Sequence, residues 1–76
     1  MSSGLALGAA VLWGARRMPA IVLQVAGERV ELAYRRRRQL RTGFTAIGKV
    51  ALCEATVEHR RIAADVAPRL QLGLFE

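Results

Sequence analysis

Ile21-Val22-Leu23-Gln24-Val25-Ala26-Gly27-Glu28-Arg29-Val30-Glu31-Leu32-Ala33-Tyr34 is the stretch that decides the fold. Ile21, Val22, Leu23 and Val25 favour extended backbone, and Ala26-Gly27-Glu28 interrupts them. Beyond the break, Val30, Leu32 and Tyr34 alternate with Arg29, Glu31 and Ala33. Period-two alternation after a glycine-containing break is the pattern of a β-hairpin, here over about 20–35. One face of its second strand would carry Val30, Leu32 and Tyr34 into a core.

Downstream, Thr42 to Val66 is ambiguous in period. Read as a helix over about 45–66, it has Thr45 as N-cap and Pro68 just past its end. Ile47, Val50, Cys53, Val57 and Ala64 would then form its apolar stripe. Val50 to Val57 also alternates tolerably as a strand. Ala46, Ala51, Ala55, Ala63, Ala64 and Ala67 favour the helix, because Ala is the best helix former and a poor strand former. The expected class is therefore α+β: a hairpin, a helix and an extended C-terminal tail.

Upstream, Gly4 to Ala15 is an apolar run of 12 residues, against roughly 20 needed to span a bilayer as a helix. Its positive charges, Arg16 and Arg17, follow it, whereas a signal peptide carries them in front. Residues 1–17 are expected to be an apolar extension or a short core-packing helix, with membrane association as the alternative. Met18 is a candidate internal start, which would make them dispensable. A small basic domain over 18–67 and a tail over 68–76 complete the organisation.

At 76 residues and 8.3 kDa there is room for one small domain and none for a large enzyme core. Cys53 is the single cysteine, so no intrachain disulfide forms. With His59 as the single histidine, no four-ligand structural zinc site can be built from Cys and His either. Hydrophobic residues make up 53% and mean hydropathy is +0.21, which does not fit a disordered chain. The formal net charge is +6, and eleven of the twelve cations are Arg, whose planar forks suit phosphates and carboxylates.

Five of those arginines fall within seven residues: Arg35, Arg36, Arg37, Arg38 and Arg41. Like charges this dense need solvation or a counter-anion, and phosphate makes the run a candidate nucleic-acid patch. A solvated loop is the plainer alternative. The spacing of Arg36, Arg37 and Arg41 is similar to the cyclic-dinucleotide arm of PilZ domains. The Asp/Asn-x-Ser-x-x-Gly element that should follow is absent, and that reading is set aside.

No residue pattern points to catalysis. Glu54, Glu58 and His59 are the clustered acid–base candidates, but Glu58 and His59 are adjacent and on a helix point about 100° apart. Cys53 and His59, six apart on one helix, would sit on different faces. His59 is expected at the surface or an edge, and Cys53 as a small core residue. No phosphate loop, nucleophile elbow or metal spacing is present. The chain is expected to be no enzyme and to use no cofactor, metal or small-molecule substrate.

The chain ends Pro68-Arg69-Leu70-Gln71-Leu72-Gly73-Leu74-Phe75-Glu76. Four large apolar groups on so short a segment either dock at home or enter a partner's pocket. Gln71-Leu72-Gly73-Leu74-Phe75 resembles the Gln-Leu-x-Leu-Phe motif by which bacterial replication and repair proteins bind the β sliding clamp. All four defined positions match, over five residues of the chain, and Glu76 departs from a motif that often ends at Phe. The resemblance implies that Leu74 and Phe75 fill an apolar pocket, Leu72 adds a flanking contact and Gln71 bonds at a polar subsite. So short a peptide is expected to bind on the order of micromolar.

The function expected is thus a cytoplasmic replication or repair accessory, or an inhibitor, held on the clamp of a bacterium or phage by its tail. The arginine run would touch the DNA that threads the ring. The alternatives are a nucleic-acid-binding module whose tail packs on its own core, and a membrane-peripheral protein. Because an isolated hairpin is marginal in water, a homodimer that extends the sheet is also open.

Overall fold

The computed structural model describes residues 6–68. Five strands form one antiparallel sheet: β1 (Ala10–Trp13), β2 (Met18–Ala26), β3 (Arg29–Arg36), β4 (Gln39–Ala46) and β5 (Val50–Leu52). Their spatial order is β4-β3-β2-β1-β5. A single turn of 3-10 helix, Ile47–Lys49, joins β4 to β5, and α1 (Val57–Asp65) follows.

The expected hairpin is β2–β3. Ala26 pairs with Arg29 across the two-residue turn Gly27-Glu28. Gly27 takes a φ of 61°, the left-handed geometry that a tight hairpin demands at its first central position. The run Ala20–Leu23 is buried throughout, because β2 has apolar cover on both faces. That explains why this part of the sequence does not alternate.

Two corrections follow for the flanking segments. Ala10–Trp13, where an extension or short helix was expected, is β1, paired on one side with β2 and on the other with β5. Val11 is fully buried, so residues 1–17 include a central strand. The expected long helix over 45–66 is largely sheet and turn, with helix only from Val57. Alanine content misled there: propensity is a weak prior, and strand pairing overrides it. The apolar stripe also has a different phase. His59, Ile62 and Val66 face inward, three and four residues apart, while Val57 is 64% exposed.

The sheet is rolled. β4 and β5 are opposite edges, yet three residues connect them. Trp13 on β1 donates from Nε1 to Thr45 Oγ1 on β4 at 3.2 Å, although a flat sheet would hold those strands about 14 Å apart. A register shift between Val22 and Gln24 adds the local twist and bend that a bulge supplies. The inner face packs Val11, Ala20, Val22, Val30 and Leu32, with Trp13, Tyr34, Ile47 and Val50 beside them. The outer face of β2–β3 packs Ile21, Leu23 and Ala33 under Ile62 and Val66. No helix among the described residues is long and apolar enough to cross a membrane.

Candidate nucleic-acid interface

The arginine run is the β3–β4 hairpin. Arg35 pairs with Leu40 and Arg36 with Gln39, leaving Arg37-Arg38 as the two-residue turn. Both turn residues are left-handed, with φ of 52° and 66°. Two successive positive-φ residues define the type I′ geometry, where Asn-Gly is the preferred pair. Arginine has a Cβ and no such preference, so the tip stores backbone strain while projecting two guanidinium groups. Arg36, Arg37 and Arg38 are exposed and meet no carboxylate among the described residues.

Residues directly opposite in an antiparallel ladder share a face. Tyr34 pairs with Arg41 and Arg36 with Gln39, so these four lie on the inner face, along the open end of the roll. Arg41 donates from Nη2 to Gln39 Oε1 at 3.2 Å. Arg35 points to the outer face and reaches Asp65 of α1 at 3.6 Å. The run therefore splits: Arg35 belongs to the packing of helix on sheet, while Arg36, Arg37, Arg38 and Arg41 remain available to an anion. The candidate clamp-binding residues Gln71, Leu72, Leu74 and Phe75 lie outside the described residues.

Tyr34 and Trp13 form a tilted ring pair, centroids 4.9 Å apart, and both are half-buried. Trp13 was missed by the sequence reading, which treated it as part of the apolar run. Arg16 and Arg17, at the turn that joins β1 to β2, were weighed there only as charges that follow the apolar run. Pairing of Trp13 with Met18 brings Met18 and the turn 14–17 beside the ring pair. The signal that could have found them was the motif Trp-Gly-x-Arg-Arg, a turn glycine between an aromatic and two cations.

Cys53 and His59 are brought together, contrary to expectation, with Sγ 3.7 Å from Nε2. They lie on different segments: Cys53 follows β5 and His59 sits in the first turn of α1. His59 is 1% exposed, not a surface residue. Its Nδ1 accepts the Thr56 backbone N–H at 3.1 Å, and its own backbone N–H donates to Thr56 Oγ1. This is a capping box with His where Glu or Gln usually stands. Since Nδ1 accepts, the ring proton is assigned to Nε2, which donates to the Val11 carbonyl at 2.9 Å. The single Nε2 hydrogen is thereby committed to the Val11 carbonyl, with the Cys53 sulfur beside it. The contact ties the helix start to β1, and its sequence signal was Thr56-x-x-His59.

No protein-family model, curated protein or solved structure matches this chain.

Proposed function

We propose that the chain is a non-enzymatic DNA-associated adaptor: its β3–β4 hairpin holds a nucleic-acid backbone, and its tail docks on the bacterial β sliding clamp. The observation that carries the first half is the hairpin tip, where two arginines occupy a strained turn that glycine would relieve. Strain of this kind concentrates where a side chain is needed. With Arg36 and Arg41 it makes four exposed guanidinium groups on one hairpin, suited to phosphates along a strand. The tail half is supported by the sequence Gln71-Leu72-Gly73-Leu74-Phe75. Used together, two weak contacts give avidity through effective concentration, and DNA threaded through the clamp supplies the second surface.

Fluorescence anisotropy with labelled full-length chain and purified β clamp, without DNA and at moderate salt, tests the tail. Binding on the order of micromolar, lost in Leu74→Ala/Phe75→Ala, is the expected result. No binding by the wild type removes the clamp from the account. The nucleic-acid module then stands by itself, a second reading favoured by the hairpin geometry and tested by DNA affinity that Phe75 does not affect.

A further inference from the structure

Two concavities flank the β1–β2 turn. One, of about 170 Å³, is lined by Trp13, Gly14, Ala15, Arg16 and Met18 and is almost wholly apolar. The other, of about 400 Å³, lies across the same turn, between β5 and the 3-10 turn. Arg17 and Lys49 both line it, and no carboxylate does. The turn backbone fixes this arrangement. Gly14 is left-handed at a φ of 74° and its N–H donates to the Lys49 carbonyl at 3.0 Å. Arg17, also left-handed, closes the turn by donating from its N–H to the Gly14 carbonyl at 3.1 Å.

We infer that the β1–β2 turn is a nucleotide seat that makes this chain a binder of single-stranded nucleic acid. A base stacks in the Trp13–Met18 notch under Arg16, and the neighbouring phosphate enters the Arg17–Lys49 cleft. The inference rests on the nucleic-acid half of the proposed function and gives it a substrate class. Three observations favour a single strand over a duplex. The smaller notch is of the size of one base and has apolar walls, which only an unstacked base can use. The Trp13–Tyr34 pair continues the notch towards Arg36 and Arg41 along the inner face. Aromatic rings set between cations are what single strands exploit, because every base has a π-face. The two cationic turns at either end of this strip then track the backbone while the rings take the bases.

Trp13 is the single tryptophan of the chain, so its emission reports the notch directly. Full-length protein is titrated with oligothymidylate, oligouridylate and a DNA duplex of equal length, following both Trp13 fluorescence and anisotropy of the labelled strand. Saturable quenching by a single strand, with the duplex bound at least tenfold more weakly and without quenching, is expected. The thymidylate and uridylate arms show which sugar is preferred. The double variant Arg17→Gln/Lys49→Gln, both on exposed side chains, should flatten the salt slope by about 0.7 for single strands, with circular dichroism unchanged. Equal affinity for duplex and single strand with no quenching overturns the nucleotide seat while leaving the backbone-binding hairpin intact. Failure of all three nucleic acids to bind overturns both.

Discussion

Replacing Arg37-Arg38 by Asn-Gly should make the protein more stable and a worse nucleic-acid binder at once. Each left-handed residue with a Cβ costs roughly 1–2 kcal/mol. Gly at 38 removes most of one such cost, although its greater freedom in the unfolded chain returns part of it. Asn at 37 tolerates the conformation better than Arg. A net gain of about 1 kcal/mol is expected, or a Tm rise of about 4–8 °C for a domain of this size. Relief of repulsion among Arg35, Arg36, Arg37 and Arg38 acts in the same direction. On the binding side, the proposed function loses two phosphate contacts. The slope of log K against log salt for a duplex should flatten by about 1.8, which at 0.1 M salt is about 60-fold in affinity if the 1 M intercept holds. Thermal melts by circular dichroism and anisotropy at several salt concentrations measure both. A lower Tm would refute the claim that the tip is strained, and an unchanged salt slope would refute the claim that these two arginines hold phosphate.

Three further outcomes follow from the packing. His59→Ala strands the Val11 carbonyl and the Thr56 N–H, the side-chain half of the capping box, and empties a buried site, which should cost about 2–4 kcal/mol, read as a lower urea midpoint with m unchanged. A chain lacking residues 1–17 should fail to show native circular dichroism, because β1 pairs on both sides, whereas an appended segment would leave the spectrum intact. Cys53 lines the Arg17–Lys49 cleft, so alkylation of native protein should be slowed by saturating oligothymidylate. An unchanged alkylation rate would place the phosphate elsewhere.

How much of this was legible depended on whether a segment's own residues or its neighbours decided its conformation. The β2–β3 hairpin was legible because Val30, Leu32 and Tyr34 alternate and Gly27 marks the turn. β4 was not, although Thr42, Phe44 and Thr45 are strand-favouring residues. It is an edge strand whose Leu40 and Phe44 stay exposed, so burial never imposes a clean alternation on it. β1 was missed because a four-residue strand is too short to show a period, and length rules compared it with a bilayer instead. The arginine cluster could be read as a cluster, but its splitting could not: that Arg35 serves Asp65 while Arg37 and Arg38 form a turn depends on register. The Trp13–Arg17–Lys49 site depends on pairing between β1 and β5, strands far apart in the sequence, which sets Lys49 beside the β1–β2 turn.

The measurement that tests the central claim most directly is a chemical-shift map of isotopically labelled full-length protein on addition of single-stranded DNA at low salt. Shifts should concentrate in Arg36–Arg41, in Trp13–Met18 and around Lys49. They should fade as salt is raised. Shifts confined to the outer face of α1, or none at all, would contradict the claim that the arginine hairpin and the β1–β2 turn form a nucleic-acid surface.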